Sequence, residues 1–277
     1  MATLTLYNDL QSHRADILKH LGQMLQDVEA LKKGLFPTPE LQNLGFRPRQ
    51  IDLEDELDFS PCFFKPLVAS IIDEYPLADN GLGSMAGEHF TPQEESTLEV
   101  TRGLFEQVQG LVIEPREGLY LVPDKYPWGL DYFASLQRVH ADRDRRDPRD
   151  DLELEQTSGP WYWESGEEYG SPDYPHIVVC MFHDLDGTDQ ALAIGELQAI
   201  LKVLQFRYKR RDYIFHSIMP HGRILQAHYD GESKNIVVQY SPLMSFEVES
   251  QGDEAAPVRL FARYEVSRPV GSTIKED

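Results

Sequence analysis

Two histidines and three aspartates sit where strand spacing can gather them. His228 and Asp230 stand two residues apart, and side chains alternate along a strand, so both fall on one face of 223–230 together with Ile224 and Gln226. In the preceding run, 213–219, His216 alternates with Ile214 and Ile218; a neighbouring strand in the right register brings it to His228. Asp184 and Asp186, with Asp189, form an acidic loop at the end of an apolar run, 177–182. Neutral imidazole plus carboxylate is a first shell for zinc, manganese or iron, and a metal-bound water there supplies hydroxide for hydrolysis. One divalent ion held by His216, His228, Asp230, Asp184 and Asp186 is therefore the catalytic expectation. The plainer account makes the same face the wet side of a half-covered antiparallel sheet, where Gln, His and Asp are ordinary.

Other catalytic patterns fail on spacing. Asp184-x-Asp186 opens like a calcium loop, but Gly187 falls at its fourth position instead of its sixth and Gly195 stands where the twelfth residue should be Glu. A magnesium nuclease needs an Asp followed by Glu-x-Lys on a neighbouring strand. Pro123-Asp124-Lys125 lacks the second carboxylate, and Glu196-Leu197-Gln198 falls on a helix with Gln in place of Lys. G-x-S-x-G, H-E-x-x-H and G-x-x-x-x-G-K-[ST] are absent, and the glycines of 81–87 have no leading strand. Cys180 lies inside an apolar run where a thiolate is disfavoured, and Cys62 has no adjacent base.

The elements that must position these residues follow from the change of period near Ile177. The run 177–182 (IVVCMF) reads as a strand covered on both faces. Ile194, Leu197, Ile200, Leu201, Leu204 and Tyr208 then recur at helical steps, closing in Arg207 to Arg211. Strands over 213–219, 223–230 and 235–240 follow, separated by short breaks. The unit is β-α-β-β-β. The residues Ile194-Gly195-Glu196-Leu197-Gln198-Ala199-Ile200 and Pro220-His221-Gly222-Arg223-Ile224-Leu225-Gln226-Ala227-His228-Tyr229-Asp230-Gly231 resemble the C-terminal part of a group of uncharacterised fungal proteins, a resemblance that implies a shared domain and no reaction.

Before that unit the chain is helix-rich. Leu10, Ile17, Leu21, Met24, Val28 and Leu31 form a heptad-like seam after Asn8 and before Gly34. Three heptads with Arg14 at a seam position are too few for a free coiled coil, so docking on the body or on a second helix is expected. The spacing predicts further helices from Pro61 through Ile72, from Thr91 through Val108 and over 128–140, with a hairpin joining 111–113 to 119–122. Ile51 to Phe59 (IDLEDELDF) reads as an acidic, partly apolar linker. Between Asp142 and Asp173 lie 11 acidic and 4 basic residues around Trp161-Tyr162-Trp163, the pattern of a solvated insertion pinned by its aromatics.

The fold expected is α+β: a helix-rich part with a short hairpin (1–140) and an acidic aromatic insertion (141–175), then the β-α-β-β-β core (176–250) and a C-terminal strand or tail (251–277), in one continuous unit. With 277 residues, 41% of them hydrophobic, the chain can bury a large core. A formal net charge of −21 disfavours nucleic acid and anionic membrane as partners. Two distant cysteines and a start without a signal-peptide pattern point to the cytoplasm or nucleus. With every catalytic motif failing, the leading expectation is a non-enzymatic intracellular binding protein without a cofactor. A protein partner, or self-association, would use Ile17, Leu21, Met24, Val28 and Leu31 of the first helix or Trp161 and Trp163 of the insertion; the metal-dependent hydrolase is the alternative.

Overall fold

The computed structural model describes residues 2–51, 59, 61–78, 103–104, 107–108, 110–119, 161–168, 177–183, 187–210, 221–245 and 256–270. Over these the chain is α+β, with small mixed and antiparallel sheets between helices.

Helix α1 (Ala2–Ala30) uses its heptad seam inside the molecule. Ile17, Leu21, Met24 and Val28 are buried together with Leu197, Ile200, Leu201 and Leu204 of the helix α4 (Ile194–Arg210). Three polar contacts fix the direction of the pair. Arg14 Nε donates to Tyr208 O, Gln205 Nε2 to Leu21 O at 3.3 Å, and Gln198 Nε2 to Glu29 Oε1 at 3.3 Å. Rising numbers on α1 meet falling numbers on α4, so the helices run antiparallel.

Both helices lie on one face of a three-stranded sheet ordered β2 (Phe46–Gln50), β9 (Asn235–Tyr240), β8 (Leu225–Asp230). That face presents Phe46, Leu225, Ala227, Ile236, Val238 and Tyr240 to the helices, all buried. β8 and β9 are the antiparallel hairpin expected from the sequence. β2 was not expected. It joins β9 in parallel, with Phe46 opposite Ile236 and Gln50 opposite Tyr240. FRPRQ contains a proline, which a sheet tolerates only where its missing N–H faces away. Ile236 N donates to Gly45 O at 2.9 Å and Ile51 N to Tyr240 O at 2.8 Å, so odd-numbered residues face β9 and Pro48 points its nitrogen off the edge. The chain enters β2 from the short helix α2 (Thr38–Asn43) through Gly45, whose φ of +83° is left-handed and whose missing Cβ would lie 3.2 Å from the Met24 terminal methyl.

A second buried cluster covers the opposite face of the sheet. It joins Ile51, Phe59 and Ile224 to Ile72 of α3 (Ala69–Glu74), to Val108 and Val112, and to Phe261, Ala262, Tyr264 and Val266. The last four belong to, or directly follow, α5 (Ala256–Glu265), a helix where the sequence suggested strand or tail. Arg263 Nε donates to Leu67 O at 2.5 Å, Leu67 N to Arg263 O at 3.0 Å, and Arg259 pairs with Asp73. Beyond α5, β11 (Arg268–Pro269) pairs antiparallel with β3 (Phe64–Lys65). The helix expected from Pro61 therefore starts only at Ala69, because residues 64–65 are drawn into strand pairing. Nor do 111–113 open a hairpin. They are helical, and Arg116 follows as a buried clamp donating to Tyr75 O at 3.1 Å and Leu111 O at 2.6 Å.

Two further ladders are short. β1 (Leu35–Pro37) pairs with β6 (Ala191–Ala193) just before α4, and β7 (His221–Gly222) pairs with β10 (Met244–Ser245). A longer ribbon joins β4 (Trp161–Glu168) to β5 (Ile177–His183), antiparallel, with a register break between Trp163 and Ser165. β5 is the strand expected from IVVCMF. β4 replaces part of the supposed solvated insertion with regular structure. The expected strand over 213–219, the helices over 91–102 and 128–140, positions 52–58 of the expected linker, and residues 142–160 lie outside the described residues, while the linker's ends, Ile51 and Phe59, are buried in the second cluster.

Candidate functional site

The polar face of β8 is the place to look for chemistry, and its residues have local tasks. Gln226 is buried at 3% exposure. Its Oε1 accepts from Phe63 N at 3.1 Å and its Nε2 donates to Pro61 O at 2.7 Å. One amide thus satisfies two backbone groups of a segment crossing the sheet, groups that would be costly to bury alone. This is a covered face, not the wet side of a half-covered sheet.

His228, one step along, packs edge-on to Phe63, ring centroids 5.2 Å apart. Its Nδ1 is buried without a hydrogen-bond partner. Burial holds this imidazole below the usual histidine range, and the Asp230 charge only partly opposes that. A neutral ring against a phenyl edge suits this setting.

Asp230 closes the β8–β9 turn. Its Oδ1 accepts from Glu232 N at 3.0 Å and its Oδ2 from Ser233 Oγ at 2.5 Å, an arrangement typical of aspartate at a turn. The Ser233 hydroxyl first, then its backbone N–H, hold the Asp230 carboxyl below the ordinary range against the opposing effect of burial, with smaller help from Arg47 and His228. Two of its lone pairs are engaged at the turn. His228 and Asp230 share a face as strand spacing requires, opposite Val237 and Asn235. His216, Asp184 and Asp186, the other proposed ligands, lie outside the described residues. Among the described residues, no three His, Cys, Asp or Glu side chains gather as a metal shell would.

A buried ion pair was not foreseen. Arg223 and Glu196 both have side chains at 0% exposure, with Arg223 Nε 3.0 Å from Glu196 Oε1. The contact is ionic and off the hydrogen-bond axis, since neither atom has an aligned partner. Glu196 Oε2 accepts from Ala193 N at 2.7 Å, the reach-back of a carboxylate at the third helical position to its own N-cap. Arg223 Nη2 donates to Thr188 O at 3.2 Å, and its guanidinium lies 5.6 Å from the Tyr240 ring centroid. Burial pushes the Glu196 carboxyl up, against the opposing pull of Arg223 and the Ala193 N–H. The pair knots the start of α4 to the residue leading into β8. The sequence does carry its signals: an acid in the first turn of a helix and an arginine inside an apolar strand run.

The residues proposed for partner contact divide sharply. Ile17, Leu21, Met24 and Val28 are 0–6% exposed and held by α4; the seam docks on a second helix of the same chain, which corrects the expectation that these residues contact another polypeptide. Leu31, just past α1, is 42% exposed. Trp161 and Trp163 stand in β4, in register with His183 and Met181. Cys62 is half-buried, its thiol donating to Phe64 O at 3.1 Å.

No family model, curated protein or solved structure matches the chain. Among the described residues, no helix is long and apolar enough to cross a membrane.

Proposed function

We infer that the protein is a non-enzymatic binding protein that contacts another polypeptide through the β4–β5 ribbon. The observation that carries this reading is the placement of Trp161, Tyr162 and Trp163 in consecutive positions of a paired strand, in register with His183, Phe182 and Met181. Aromatic residues combine large contact area with few rotatable bonds and are enriched where proteins meet. The alternative seam on α1 is occupied within the chain, and Gln226 and Asp230 of β8 and Glu196 of α4 have structural partners.

The test is site-specific photocrosslinking in cell extract, with a benzophenone side chain at position 162 and, as a control, at the exposed helix position Gln26. Discrete crosslinked species are expected from 162 and not from 26. Identical patterns from both positions, or none from 162, would overturn the reading.

A further inference from the structure

We propose that residues 61–65 form a strap which mild acid lifts off β8, with His228 as the trigger and Gln226 as the latch. The proposal is independent of the ribbon and concerns the covered face of the three-stranded sheet.

The strap is held at two positions of β8 that share that face. Gln226 grips the backbone on either side of Cys62, accepting from Phe63 N at 3.1 Å and donating to Pro61 O at 2.7 Å. Two residues on, the His228 ring meets the Phe63 ring, centroids 5.2 Å apart and planes at 67°. Phe63 and Phe64 are 6% and 3% exposed, so the strap keeps two phenyl rings from water. Beyond β8, Val270 N donates to Phe63 O at 2.8 Å and β3 pairs with β11 over two residues, a short ladder of the kind that opens locally while a larger core stays closed.

The surroundings of His228 suit a neutral ring and offer little to a charged one. Its Nδ1 is buried with no hydrogen-bond partner among the described residues, so a proton placed there meets no acceptor and is costly to keep. Asp230 on the same strand favours the charged ring, but its carboxylate oxygens already accept from Glu232 N and Ser233 Oγ at the turn. The same row of the sheet holds Val237 on β9, which brings no charge, and Arg47 on β2, a cation that opposes another. From the strap come the Phe63 ring and the Cys62 thiol, which donates to Phe64 O at 3.1 Å, while Lys65 is exposed. Burial accordingly holds the imidazole below the usual histidine range. Lifting the strap returns the ring to water, where it takes the proton readily. The opened form therefore binds protons that the closed form refuses, and acid favours opening. What it uncovers is Phe63, Phe64 and the Cys62 thiol, an apolar surface withheld at neutral pH.

The test is hydrogen exchange of the full-length protein, read by mass spectrometry at about pH 7.5 and about pH 5.5 and corrected for the intrinsic pH dependence of amide exchange. Protection of 63–67 is expected to fall by about tenfold at the lower pH, the change that linkage sets for an imidazole released to its ordinary value of 6.5. Protection of 197–204 in α4 should hold. His228→Phe should remove the fall, and His228→Leu decides in its place if the phenylalanine variant does not fold. Gln226→Ala should lower protection of 63–67 at both pH values and leave their ratio unchanged, which separates the latch from the trigger. An unchanged strap at the lower pH, the same fall without the imidazole, an equal loss over 197–204, or wild-type protection in Gln226→Ala would overturn the proposal.

Discussion

The three-stranded sheet and the two-stranded ribbon differ in how their neighbours are placed. β8 carries Gln226, His228 and Asp230 at alternate positions, yet both faces of its sheet are covered, by α1 and α4 on one side and by the 59–67 segment, α3 and α5 on the other. β5 reads IVVCMFH, the pattern of a strand enclosed on both faces, and among the described residues it pairs with β4 alone. Polarity along one strand reports the chemistry of its neighbours, not merely their presence. In β8 the neighbour is the backbone at Pro61 and Phe63, which needs a donor and an acceptor, so a buried glutamine fits better than leucine.

The largest effect should come from the ion pair on the sheet side of this comparison. Glu196→Ala leaves a buried guanidinium without its counter-charge and should lower unfolding free energy by about 3–5 kcal/mol, measured in urea. Glu196→Met/Arg223→Met should recover most of that loss. Equal destabilisation by the single and double variants would show that packing, not charge pairing, holds this junction.

Next comes the helix pair. Leu21 is fully buried between α1 and α4, so Leu21→Ala should cost about 3 kcal/mol and leave the association state unchanged in sedimentation. A change of association state with stability intact would return the seam to the surface.

Much of the sheet and its helices was legible because period survives in sequence. The α1 seam, the stripe on α4, and the β8 and β9 strands each follow from local spacing. β2 was hidden because FRPRQ lacks β-branched residues and contains a proline that is harmless only in one edge orientation. α5 was hidden because Val258, Leu260, Ala262 and Tyr264 alternate as a strand would, while burial of Phe261, Ala262, Tyr264 and Val266 is a matter of tertiary contact. At the candidate site, the shared face of His228 and Asp230 was readable. Their roles were not, since Phe63 lies 165 positions from His228 in the chain and nothing local announces that meeting. The same holds for Arg223, 27 positions after the glutamate it pairs with.

A smaller effect distinguishes His228 by pH. Its folded-state pKa lies below the unfolded value of 6.5 because of burial, so below about that pH the unfolded chain binds more protons than the folded one. The stability contribution from this group is therefore full above the unfolded pKa and declines as pH falls toward the folded one. His228→Phe should flatten urea-midpoint curves across that acid window. An unchanged pH profile would place the imidazole in water, not against Phe63.

The division of labour between sheet and ribbon is tested most directly by measuring unfolding free energy and crosslinking from position 162 together, for Gln226→Ala and for Trp161→Ala/Trp163→Ala. Gln226→Ala should lose about 2 kcal/mol, the cost of leaving buried backbone groups unpaired, and keep its crosslinks while folded. The tryptophan pair should lose its crosslinks while the protein still folds. Crosslinks lost in folded Gln226→Ala, or retained in the tryptophan pair, would contradict the assignment of binding to the ribbon.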